Sequence, residues 1–243
     1  GAQNLDISAG AGTITFTGVV GGTTDLAAVT IDDASTVTVS SGFDAASFMQ
    51  TAGTGLTTLN GALTTAGNVA ITATGVTVNQ GITTSADGTV SLEAGTGALT
   101  IAGDGDIGAD GAVSLFGDAG IATAGSVTTT ADAITFNDAT TLTGDVLLDT
   151  GAGAGTVTFA NTLGGAQSLG ITAGTGAIDF DNTVGAGTAL GAVTLTSAGN
   201  VTADNTFTAA SLTQSAGTGT TTFSNTLTAT TGDISVTTDS IAL

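Results

Sequence analysis

Seven residue types are missing from this 243-residue sequence: Lys, Arg, His, Cys, Pro, Trp and Tyr. Without Lys or Arg nothing neutralises phosphates, so nucleic acid and anionic membrane surfaces are excluded as partners. Anionic sugars and carboxylate substrates cannot be held by salt bridges either. Without His and Cys the usual ligands of zinc, copper, haem and iron–sulfur clusters are gone, together with Ser-His, Cys-His and Lys-based nucleophiles. The same absences remove disulfides, Lys–Asn isopeptide staples and every site for a trypsin-like protease. Long apolar runs are lacking too. No stretch approaches the roughly 18 continuous apolar residues of a membrane span, and no basic segment leading into an apolar one marks a signal peptide.

What remains for chemistry is Asp, one Glu, Ser, Thr, Asn, Gln and the backbone. The formal charge is −20, yet charged residues make up only 8% of the chain and the mean hydropathy is +0.45. Those values lie outside the disordered regime. The apolar residues come in short alternating runs. The first residue is Gly, so the expectation is a mature or excised segment of something longer.

Two phrases, "GAQNLDISAG AGTITF" at residue 1 and "GAQSLGITAG TGAIDF" at residue 165, open a long internal repeat. Residues 1–63 align with 165–227 without a gap at about half identity, after which the register slips by one residue. A shorter period lies inside it, roughly 20 to 23 residues, ragged near 116–153. Each unit reads as an alternating strand, a turn, a short apolar step, a second turn and another alternating strand. Ile14/Phe16, Val76/Val78, Leu99/Ile101, Ile134/Phe136, Val157/Phe159 and Ile178/Phe180 point one way. Thr15, Thr77, Thr100, Thr135, Thr158 and Asp179 point the other, which is a strand period and not a helical one.

A unit of that size cannot bury its apolar side alone, but coils stacked about 4.8 Å apart share one continuous core. The expected fold is therefore all-β: a single parallel β-solenoid over 1–243, of roughly eleven coils with three short strands each. Phe159 and Phe180 should stack along its interior. A string of antiparallel β-sandwich domains would need longer strands, Pro-containing linkers and a core Trp or Tyr. Both termini fall within repeats and carry no cap, so the unit is expected to continue into more chain or to assemble end to end.

The phrases "GTITF…VGG…LAAVTI" and "GTVTF…LGG…SLGITAG" resemble the Thr/Gly/Ala-rich β-strand repeats of giant bacterial exoproteins, the filamentous haemagglutinin-like and autotransporter-type surface adhesins. The resemblance covers essentially the whole chain. It implies a right-handed β-solenoid, secretion to the cell surface, and a role in adhesion or as a stalk or filament. No secretion domain or binding head accompanies it, and the lack of Lys and Arg departs from typical adhesins.

Three chemistries can be tested against the residues. "GDGDIGADG" places Asp104, Asp106 and Asp110 on a Gly-rich loop whose oxygens suit Ca²⁺, although the terminal Glu of an EF-hand is missing and the spacing is not that of a calcium-binding nonapeptide repeat. "AIDFDN" puts Asp179 and Asp181 on one face about 7 Å apart, a separation open to an inverting glycosidase, but with no aromatic platform or basic residue to hold a sugar. Thr-x-Thr pairs at Thr13/Thr15, Thr36/Thr38 and Thr72/Thr74 raise ice binding. Against ice binding stands the irregular filling of the threonine slots with Asp, Ala and Ser, and against a repeated carboxylate site stands the repeat itself. Asp6, Asp25, Asp32, Asp33 and Asp44 face Gly170, Ala189, Thr196, Ser197 and Thr208, while Asp179, Asp181 and Asp204 face Thr15, Thr17 and Ser40. Apolar slots, Gln3/Gln167 and Gln50/Gln214 are matched; no Asp is. The expected function is a non-enzymatic, extracellular structural repeat needing no cofactor, with a direct adhesion module as the alternative.

Overall fold

Alternating side chains with Gly-punctuated turns give only strands here: the computed structural model describes residues 2–243, and these contain 30 β-strands and no helix. Gly1, which opens the long repeat, lies outside the described residues. The chain divides into two compact units, one reaching Ile121 and the other running Ala122–Leu243. Both are parallel β-solenoids with three strands per turn, about 21 residues per turn and about 11 turns in all.

In the first unit the first face is built from Leu5–Ser8, Leu26–Asp33, the end of Phe43–Gln50, Val69–Ala73, Val90–Ala94 and Val113–Gly117, each parallel to the next. The second face runs Thr13–Phe16, Thr36–Val39, Leu56–Leu59, Gly75–Val78 and Leu99–Ile101. The third begins at Val20 and continues through the start of Phe43–Gln50, Leu63–Thr65, Ile82–Thr84 and Ile107–Gly108. The second unit repeats this plan. One of its faces, for example, is Ile134–Phe136, Val157–Phe159, Ile178–Phe180, Val201–Ala203, Thr220–Phe223 and Ser240–Ala242. The stretch with ragged sequence spacing is no exception, because Val127–Thr128 and Val146–Asp149 still pair in parallel.

Parallel in-register pairing stacks like on like, and the interior shows it. Phe136, Phe159 and Phe180 lie face to face, with centroids 4.7 and 5.6 Å apart and interplanar angles of 13° and 4°. Beyond them the rings turn edge-on, Phe180 to Phe207 at 5.4 Å and Phe207 to Phe223 at 5.9 Å. The first unit has its own edge-on pairs, Phe16–Phe43 at 5.0 Å and Phe43–Phe48 at 5.3 Å. Such contacts add about 0.5–1.5 kcal/mol each beyond the area they bury.

Two devices turn the corners. Phe43–Gln50 and Phe207–Gln214 each pass from one face to the next without breaking, because Ala46-Ser47 and Ala210-Ser211 place two successive side chains outward and so shift the inward phase. Elsewhere glycine is needed. Gly21 and Gly185 hold φ at +79° and +78°, and a Cβ would meet the Asp44 and Thr208 carbonyl oxygens at 2.1 and 2.2 Å. Neither the backbone angle nor the space admits another residue.

Candidate functional site

The carboxylates fall into three structural situations. Asp104 is exposed at a turn tip and Asp106 is exposed just before the strand Ile107–Gly108, its carbonyl accepting the Ile82 amide at 3.0 Å. Asp110 lies beyond that strand. Its Oδ2 accepts the Asp87 amide at 2.9 Å, and its own amide donates to Thr84 Oγ1 at 3.1 Å. The intervening strand thus divides the acidic run, and the Asp110 carboxylate is engaged in capping the neighbouring turn. Among the described residues no three carboxylates form a group able to hold a metal ion.

Asp33 is a second turn cap. A register shift after Ile7 brings Ser8 opposite Asp33, whose Oδ1 accepts the Ser8 hydroxyl and the Gly10 amide, the latter at 3.1 Å. The Ser8 hydroxyl first, and then the Gly10 amide, hold this carboxyl below the usual carboxylate range, as donors to an anion do. Other coils use the same chemistry without charge: Asn68 Oδ1 accepts the Thr89 amide at 3.0 Å and Asn200 Oδ1 the Thr220 amide at 2.9 Å.

Asp179 is different. It sits at the centre of Ile178–Phe180, half-buried between Thr158 and Thr202 in the outward row of its face. Burial pushes its carboxyl up, the Thr202 hydroxyl bond works against this, and the charges of Asp181 and Asp204 push it up further. The pair singled out in sequence is therefore a trio. The third member was hidden because Asp204 is 25 positions from Asp179 and joins it only through the stacking of coils. The trio lies on an open sheet face among threonines, in a chain that has no cationic side chain, Tyr or Trp.

A concave, apolar place lies inside the last turn, a cavity of about 530 Å³ lined by Phe223, Leu227, Ile234, Val236, Ile241 and Leu243. It is core surface, with Asn225 its only polar lining residue.

Polar groups enter the core at single threonines such as Thr65, Thr123 and Thr150, whose hydroxyls donate to turn carbonyls, and as a side-chain pair at one place matched in both copies of the long repeat. Gln50 and Gln214 are each 1% exposed, and their Oε1 atoms accept the hydroxyls of the fully buried Thr57 and Thr221 at 2.9 and 2.8 Å. Gly53 and Gly217 leave the room this takes, since a Cβ at either would lie 2.5 Å from the glutamine Nε2. Sequence matching flags Gln50/Gln214; that the pair is buried and latched to a threonine seven residues on is visible only in the fold.

The fold and these sites define a β-solenoid repeat whose polar side chains mostly cap turns and cover sheet. Comparison with family models, with curated proteins and with solved structures gives no match.

Proposed function

We propose that this chain is a non-enzymatic structural repeat: a segment of a secreted cell-surface filament, sheath or adhesin stalk of the kind its Thr/Gly/Ala-rich repeats resemble. The supporting observation is what the two copies of the long repeat keep. Inward apolar slots, the edge-on Phe pair, the Gln–Thr latch and the Gly21/Gly185 turns recur, whereas no carboxylate does. Duplication preserves what builds a stack, and stacked coils supply rigidity by nearest-neighbour cooperation without disulfide or metal. Its partners in this reading are more coils, in the same chain or in another copy. The acidic surface keeps the scaffold soluble.

Electron micrographs of the native assembly test this directly. The expected result is filaments of uniform width built from the repeat, with purified chain showing no saturable attachment to cells. Saturable binding by the monomer would replace the scaffold with an adhesion module, and release of sugar product that is lost in Asp179→Asn would replace it with an enzyme.

A further inference from the structure

The outward rows that the long repeat aligns, Thr15/Asp179 and Thr38/Thr202, differ between the units in a way that points to a partner. In the first unit the register places Thr15, Thr38, Thr58, Thr77 and Thr100 in one column, one per turn. Beside it run Thr17, Ser40, Asn60 and Asn79, with the Asn79 amide donating to Asn60 Oδ1 at 2.7 Å. Leu56 stands on the other flank, 45% exposed and opposite Gly75, where the missing side chain leaves it room. No carboxylate occurs in 11–18, 35–41, 55–61, 74–80 or 98–103. Among the described residues none of the five column hydroxyls is hydrogen-bonded within the chain. The first face, by contrast, presents Asp6, Asp33 and Glu93, and the third presents Asp44. In the other unit the face built on Ile178–Phe180 carries Asp179, with Asp181 and Asp204 beside it.

We infer that this uncharged face is a lateral contact between copies of the chain, its occupant the same face of a second copy. Charge selects the surface. Two chains of −20 with no cation repel, and carboxylates pressed together in a desolvated gap are penalised far more than in water, so a self-contact needs a face without them. Period selects the occupant. Hydroxyls repeating about every 4.8 Å meet, in a two-fold contact, a row of identical spacing, and each hydroxyl can both donate and accept. Leu56 and the threonine methyls supply apolar cover. The patch measures about five rungs by four residues, roughly 300 Å² per copy, well below the ~800 Å² per partner of a stable complex. The contact is therefore transient between free chains and accumulates where copies are held side by side. It goes beyond the scaffold reading, which a solitary stalk would satisfy equally.

The absence of cysteine makes the test clean. Thr58→Cys puts a single thiol at the centre of the face, and Thr202→Cys puts one at the corresponding row of the acidic face. Under mild oxidation Thr58→Cys should form disulfide-linked dimer about tenfold faster, a factor equivalent to ~1.4 kcal/mol, with both rates rising and the advantage narrowing as salt screens the carboxylates around Thr202. Adding Thr38→Asp and Thr77→Asp to Thr58→Cys should erase it, with far-UV circular dichroism reporting that the fold is intact. Equal rates for the two thiols, or an advantage indifferent to the added aspartates, overturns the proposal.

Discussion

Residues 2–63 and 165–227 are two solutions to one structural problem, and their differences show which property each slot requires. Where the slot faces inward, identity or volume persists: Phe16–Phe43 and Phe180–Phe207 meet edge-on at 82° and 84°. At the turn after the first strand, Gly10 and Gly174 hold φ near +58° and +57°, and each amide donates to a short polar side chain from the next coil, Asp33 Oδ1 at 3.1 Å or Ser197 Oγ at 3.0 Å. The register shift recurs as well, after Ile7 and after Ile171. That slot needs an acceptor and is indifferent to charge. At Thr15/Asp179 no such bond is shared: Asp179 accepts the Thr202 hydroxyl, whereas among the described residues the Thr15 hydroxyl is not hydrogen-bonded within the chain.

The largest effect should come from the ring stack. Phe43→Ala and Phe207→Ala each remove a fully buried ring touching two others, at a cost of about 3–5 kcal/mol. Similar losses in denaturant unfolding would show that the copies are energetically equivalent; a loss confined to one would break the comparison there.

The latch comes next. Thr57→Val or Thr221→Val strands a buried glutamine carbonyl and should cost about 1–3 kcal/mol. Gln214 Nε2 already lacks a partner while buried. The pair Gln214→Leu with Thr221→Val, which removes both halves, should therefore recover most of the loss seen in Thr221→Val alone. Thermal unfolding of single and double variants reads this coupling.

Both predictions concern residues whose direction was legible in sequence only in part. Alternation placed Phe159 and Phe180 inside and Thr15 and Thr77 outside, because a two-residue period leaves no freedom once one face is buried. It could not place Thr57 and Thr221, polar residues that lie inward on their strands. Nor could it show that Asp33 and Asp110 cap neighbouring coils, since a cap joins residues a full turn apart. Coil lengths vary: Thr15 to Thr38 is a step of 23 while Thr58 to Thr77 is 19. No fixed spacing therefore exposes the five-threonine column or the Asp179–Asp204 proximity.

A smaller effect separates the two turn caps by pH. Asp33 has its carboxyl held below the usual range by the Ser8 hydroxyl and the Gly10 amide. Its contribution is thus fully present above about pH 4, the value of an unperturbed carboxylate, and is lost as pH falls through the depressed folded value. Amide exchange should accordingly show the Gly10 N–H losing protection below pH 4 and the Gly174 N–H, capped by Ser197, holding steady. Asp33→Ser should make Gly10 behave like Gly174. Parallel loss at both amides would mean that acid opens the turns by another route.

Asp179 has the opposite sign and the smallest effect. Burial, with help from Asp181 and Asp204, raises its carboxyl above the usual value, so in the folded chain the ionised form is disfavoured and stability increases as pH falls from above the raised value toward about 4. Asp179→Asn removes the charge while keeping the shape. Because the group is partly solvated, the gain at neutral pH should be only about 1–2 °C in Tm, vanishing near pH 3 where Asp179 itself is protonated. Asp179→Thr, which restores the residue of the other copy, should keep an additional increment at every pH, since threonine suits a pleated surface better than aspartate. An Asn variant no more stable than the parent at neutral pH would mean that the Thr202 hydroxyl offsets the whole penalty, and the acidic trio would then be as comfortable in the sheet as the threonines it replaces.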